Sequence, residues 1–234
     1  LTDGTYTVSA TATDAAGNSS PAGTGNLVVD TTAPTAPVVA AQTTNDTTPT
    51  VSGTAEAGSS VAVTINGVTY TTTADGSGNW SITTATLPSG TYSVTATATD
   101  AAGNVSPVGT GSITVDDVAP MVVLSHSGSD LIVRDADTET ITATFNEAMT
   151  SAPTITLTLS NGASITAAPL SGSGTTWTYA WDVPAGSDGT ATVTVAGTDL
   201  AGNAYAGSDN LVFTIDNSAP TAPVRSEERR VGKE

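Results

Sequence analysis

The stretch GTYSVTATATDAAGNVSPVGTGSITVD, residues 90–116, decides the fold. Tyr92, Val94, Ala96 and Ala98 alternate with Ser93, Thr95, Thr97 and Thr99. A period of two sends alternate side chains to opposite faces of a strand, so this segment is a half-buried strand. Asp100-Ala-Ala-Gly-Asn104 then supplies turn residues: Asp bonds nearby backbone N–H groups, and Gly accepts a positive φ. A last strand, 109–115, runs out to Asp116.

The same letters recur outside this stretch. Residues 1–30 align without a gap on 87–116 and agree at 21 of 30 positions, which fixes a period of 86 residues. A looser third copy ends at Asp216, where TDLAGN (198–203) stands for TDAAGN. A short Asp/Pro linker follows each copy: DTTAP (30–34), DDVAP (116–120) and DNSAP (216–220). The chain is therefore a window on an array. Residues 1–30 are the C-terminal part of one repeat, entered in mid-pattern at Leu1; 31–116 are a complete repeat; 117–216 are a longer variant; and 217–224 lead toward a next repeat. The decamer RSEERRVGKE (225–234) shares nothing with the rest and reads as a non-native, adapter-derived tail.

Within a repeat the pattern stays β. Val61, Val63 and Ile65 alternate, Asn66-Gly67 supplies a tight hairpin turn, and Val68 and Tyr70 resume. Trp80 and Ile82 mark a strand after the turn-rich DGSGN, and Trp80 and Tyr92 are expected in the core. Threonine favours strands, and no segment carries a helical period. About seven short strands in some 86 residues predict an all-β chain of tandem immunoglobulin-like antiparallel sandwiches joined by Asp/Pro linkers.

Composition narrows the function. There is no cysteine, hence no disulfide and no thiolate metal site. No apolar run approaches the ~20 residues of a membrane span, and no signal peptide is visible. The chain has 22 acids and 5 bases; the tail holds three of the acids and four of the bases, leaving Arg134 as the sole base among 19 acids. Such a surface repels nucleic acid and anionic membrane and attracts divalent cations. It also keeps a secreted protein soluble.

Following seven up-and-down strands through 31–116 places the candidate ligands. Glu56 and Asp100 fall at the pole where the linker enters with Asp30. In the third repeat the same walk sets Glu147 and Asp199 beside Asp116 and Asp117, with Asn45 and Asp46 arriving from the preceding repeat's far loop. Carboxylates gathered without a base repel one another, and Ca2+ relieves this best because it takes 6–8 oxygens in flexible geometry. Asn104 or the turn backbone could supply carbonyl oxygens. The rival reading is that Asp-x-x-Gly-Asn is only a good turn and the linker acids are solvated.

The strings TPTVSGTAEAGSSVAVTINGVTY, DGSGNWSI and GTYSVTATATDAAGNVSPVGTGSITVD resemble the bacterial immunoglobulin-like repeats of large secreted adhesins and biofilm proteins; ITATFNEAMTSAPTITLTLSNG with GTDLAGN is similar to a neighbouring subfamily. The resemblance covers about residues 1–224. It implies a stalk projecting from a bacterial cell, calcium at the junctions of neighbouring repeats in the same chain, and an extracellular location, with export often by a one-step secretion system. Carried onto this chain, junction ligands fall on Asp30, Asp100, Asp116 and Asp199, and also on Glu56 and Glu147. Adhesion to a host or matrix glycan or protein would belong to other parts of the full protein. The nonapeptide calcium repeats of a terminal secretion region are absent from this segment.

No Gly-x-Ser-x-Gly elbow, phosphate loop or His-Glu-x-x-His occurs, and the lone His126 sits in a turn-like SHSGSD, so no enzyme is expected. DGSGNW hints at a calcium loop but reads better as a hairpin turn. Two other functions compete with the spacer. The 117–216 repeat could itself bind a glycan or protein through Trp177, Tyr179 and Trp181 if these face solvent. The array could also be the accessory part of a large secreted enzyme.

Overall fold

The computed structural model describes residues 1–222; the tail 225–234 and the end of the 217–224 linker lie outside the described residues. Every regular element among the described residues is a strand. The chain divides into two compact units, Leu1–Val118 with Leu200–Asn203, and Ala119–Asp199 with the residues from Ala204 onward.

The first unit opens with a hairpin of β1 (Gly4–Ala10) and β2 (Gly23–Val29). A sandwich follows, built from β3 (Val38–Val39), β4 (Gln42–Thr44), β5 (Thr50–Thr54), β6 (Ser60–Ile65), β7 (Val68–Thr73), β8 (Asn79–Thr83), β9 (Gly90–Thr99) and β10 (Gly109–Val115). One sheet has the order β3-β5-β8 and the other β4-β10-β9-β6-β7; all pairs are antiparallel except β4 with β10. The expected seven strands become eight because the first strand splits, its halves joining different sheets. The strands do not form a plain up-and-down meander either. β8 leaves its sequence neighbours to pair with β5, which gives each sheet an inner face to bury against the other.

Alternation does the packing. Val61, Val63, Ile65, Val94, Ile113 and Trp80 point inward and are buried. Asn66 and Gly67, at φ 47° and 77°, make the primed turn that joins β6 to β7. Gly53 must be a glycine: a Cβ there would lie 1.9 Å from the Val38 carbonyl oxygen and 2.5 Å from the Trp80 ring. Tyr92 packs against the core edge, and its hydroxyl donates to the Pro88 carbonyl at 2.7 Å; Tyr6 does the same to Thr2 at 2.8 Å.

The second unit is a longer sandwich of β11 (Val122–His126), β12 (Ile132–Val133), β13 (Thr138–Phe145), β14 (Thr154–Leu159), β15 (Ser164–Pro169), β16 (Ser171–Ser173), β17 (Thr176–Asp182), β18 (Gly189–Ala196) and β19 (Leu211–Ile215). Its sheets run β11-β13-β17-β16 and β12-β19-β18-β14-β15. Trp177 and Trp181 are buried from β17, and Tyr179 packs against the same core. His126 departs from expectation. It ends β11 partly buried, stacked edge-on against Phe213 at 5.2 Å and facing the buried Glu139, whose carboxylate also accepts from Ser127 Oγ and Gly128 N. Strand β11 runs through Ser125-His126 and carries the imidazole onto the core side, where the turn-like letters suggested solvent.

Candidate metal centre

The repeated TDAAGN is first of all a closed turn. Asp100 Oδ1 accepts from the backbone N–H of Ala102 and Asn104, both at 2.9 Å, and Asp100 Oδ2 accepts from Asn104 Nδ2 at 2.8 Å. Gly103 sits at φ 95°. Asp14 makes the same bonds with Ala16 and Asn18. The Asn104 side chain, then backbone N–H donors, hold the Asp100 carboxyl below its ordinary value; Asn18 does so for Asp14. DGSGN (75–79) is this turn again: Asp75 Oδ1 accepts from Ser77 N and Asn79 N at 2.8 Å each. The shared spacing Asp-x-x-Gly-Asn was the signal that links the two segments.

The motif's asparagine has a second task. Asn104 Nδ2 also donates to the backbone oxygen of Asp30 at 3.0 Å. Within the same compact unit, Asn203 Nδ2 donates to the backbone oxygen of Asp116 at 2.7 Å, and Ala201 O accepts from Asn45 N at 2.9 Å. At Asp30 and Asp116 the final Asp of one copy is bound through its carbonyl by the asparagine of the next.

The linker aspartates are Asx turns. The Oδ1 atoms of Asp30, Asp116 and Asp216 accept from Thr32, Val118 and Ser218 N–H, at 3.0, 3.1 and 2.9 Å. A clamp not read from the sequence fixes the next residue. Asp3 accepts from Thr31, Ser89 bonds Asp117, and Asp188 accepts from Asn217. These three clamps occupy one alignment column, just before the glycine that opens the penultimate strand. That polar column was visible, but its partner lies 28 or 29 residues away.

The remaining candidates divide. Asp30 lies with Ala101 and Ala102 around one small cleft, so the structure brings it to the Asp100 turn. Glu56 is exposed, borders a cleft with Thr32, Ala33 and Thr35, and offers its carbonyl to Ser59. Asp30, Glu56 and Asp100 do not form a group of three carboxylates with oxygens within 4.8 Å of one another. Asp46 is engaged by Thr48, through N at 2.8 Å and Oγ1 at 3.0 Å.

In the second unit a carboxylate oxygen of Glu147 and one of Asp199 lie within 4.8 Å of each other. Asp199 is only 1% exposed. Its backbone is held by a bridge to Met149 and by the Thr150 hydroxyl, which donates to its carbonyl. Among the described residues the sole Arg, Arg134, pairs on the surface with Asp137 at 3.5 Å. An all-oxygen donor set of this kind fits a hard cation, Ca2+ above Zn2+ or Cu2+.

Residues 38–117 match the family of bacterial Ig-like domains. Ig-like domains of this kind are structural modules of surface proteins, generally without enzymatic activity and typically extracellular. The chain is also similar to a solved structure of the fibronectin(III)-like modules of Clostridium thermocellum CbhA, at 21% identity over 78% of this chain and 91% of that one, with a TM-score of 0.38. No curated protein matches it. No helix among the described residues is long and apolar enough to cross a membrane.

Proposed function

We propose that this chain is a spacer segment of a bacterial cell-surface or secreted adhesin, a row of Ig-like repeats whose junctions are stiffened by calcium. The observation that carries the reading is the recurrent bond from the TDxAGN asparagine to the last aspartate carbonyl of the copy before it, at Asn104–Asp30 and Asn203–Asp116. A module selected only to fold alone has no use for such a bond. A module that must hold the chain entering it has.

Calcium adds to this at the acids. Glu147 and Asp199 would form the stronger centre. Asp30, Asp100 and Asn104 would make a weaker one, since ligand charge sets affinity. Metal binding to the folded chain alone raises stability by mass action. With a dissociation constant of about 10⁻⁴–10⁻³ M, as in extracellular modules, 10 mM calcium contributes about 1.4–2.7 kcal/mol. The burial of Trp177 and Trp181 supports the spacer reading over a ligand-gripping 117–216 repeat, because the proposed aromatic platform is turned into the core. Adhesion is then assigned to other parts of the protein.

The test is a calcium titration followed by thermal melting, with magnesium as control. The parent should melt higher with calcium, whereas Glu147→Gln and Asp199→Asn should lose most of the response. Asp100→Ala should lower the melting temperature at every calcium level, through its turn, and keep most of the response. A parent whose melting temperature ignores calcium up to 10 mM would overturn the metal assignment.

A further inference from the structure

We propose that each of the two sandwiches bears tension along the chain, through a clamp of its entering strand on its leaving strand. The inference rests on the spacer reading, since load reaches a repeat only through the chain at its two ends. Among the described residues each sandwich has one parallel strand pair, and it joins the same two elements both times. Every other pair is antiparallel. In the first, Gln42, Thr43 and Thr44 of β4 lie against Ile113, Thr114 and Val115 of β10, and Asp116 N donates to the Thr44 carbonyl at 2.9 Å. In the second, Ile132 and Val133 of β12 lie against Thr214 and Ile215 of β19. There Thr214 N and Asp216 N donate to the carbonyls of Leu131 and Val133, at 2.8 and 2.9 Å.

Strand direction decides how such a pair is loaded. Tension draws β4 toward its N-terminus and β10 toward its C-terminus. In parallel strands these two pulls are opposed along one axis, so the strands must slide past each other and all the bonds between them strain together. An antiparallel pair pulled from two ends at one pole opens one bond at a time. The contact in the first sandwich is longer than its ladder. A Cβ at Gly109 would overlap the Pro37 carbonyl oxygen, and one at Gly111 would lie 2.7 Å from the Val39 Cβ, so the entering segment runs close beside β10 before β4 begins. Side chains of the clamp strands are anchored in the core: Ile113, Val115, Val133 and Ile215 are all buried. Parallel pairing is slightly weaker per residue than antiparallel, so ladders this short add little to stability at rest. Their geometry counts when the ends are pulled, because forced unfolding follows the unfolding rate.

Single-molecule stretching of the full chain in the presence of chelator tests the clamp apart from any metal. The two repeats are told apart by the length of chain each releases. Thr44→Pro removes an N–H from β4 and should lower the unfolding force of 31–116 by roughly half, with 117–216 unchanged. Asp216→Pro removes the donor to the Val133 carbonyl and should do the converse. Gly67→Ala strains the turn at φ 77°, away from the clamp; it should lower the melting temperature and leave both forces at the parent's values. If Thr44→Pro loses the 31–116 step altogether, Asp216→Pro decides. Proline variants that keep the parent's forces, or a Gly67→Ala chain weakened as much as Thr44→Pro, would overturn the proposal. A melting temperature that ignores calcium would count against the metal and leave the clamp standing, so the two readings fail separately.

Discussion

Asn104 carries two loads with one amide group, closing its own turn on Asp100 and holding the Asp30 carbonyl. Each hydrogen bond contributes about 1 kcal/mol net. Asn104→Ala should therefore cost about 1–3 kcal/mol by urea unfolding, and more than Asn18→Ala, whose amide is bonded to Asp14 alone among the contacts seen. The aspartates of these turns make stability depend on pH in a fixed direction. Asp14, Asp75 and Asp100 are all held below the ordinary value of 3.8 in the folded chain. A carboxyl depressed by folding contributes stability above its unfolded value and loses it as pH falls through its folded value. Melting temperature should thus be nearly flat from pH 7 to 5 and fall below about pH 4. Asp75→Asn combined with Asp100→Asn should make that fall shallower in calorimetry.

Strands answer to packing rather than to turns. Gly53 lies opposite Trp80 in β8 and beside β3, with no room for a methyl group. Gly53→Ala should cost about 1–3 kcal/mol or separate β3 from β5, seen as lower denaturant resistance and faster exchange at Val38–Val39. Trp181→Ala, in the core of the second unit, should cost about 3–5 kcal/mol. Much of this level was legible in the sequence. The alternation in Tyr92–Ala98, the Asn66-Gly67 turn and the inward Trp80 each follow from local chemistry. The split of the first strand into β3 and β4 was not legible, because two and three residues carry no period. The pairing of β8 with β5 was hidden for a different reason: it is a long-range choice made by burial. His126 was misread because a polar letter among Ser and Gly looks like loop, whereas Glu139, thirteen residues on, draws it to the core side.

At the scale of the molecule the repeats are chained by carbonyls, carboxylates and their donors. The acids at the ends of the copies were legible from the 86-residue period and the near absence of bases. The clamps Asp3–Thr31, Ser89–Asp117 and Asp188–Asn217 were not, since each joins residues 28 or 29 apart by side-chain geometry. Replacing Asp188 by Ala should loosen Asn217 and speed exchange at Ser218 without lowering the core's protection. The central claim concerns stiffness, and small-angle scattering of the full chain tests it most directly. Measured at physiological salt with chelator and then with 10 mM calcium, the parent should gain maximum dimension and lose the spread of a flexing chain. Glu147→Gln should lose most of that change. Identical scattering of the parent with and without calcium would contradict the account.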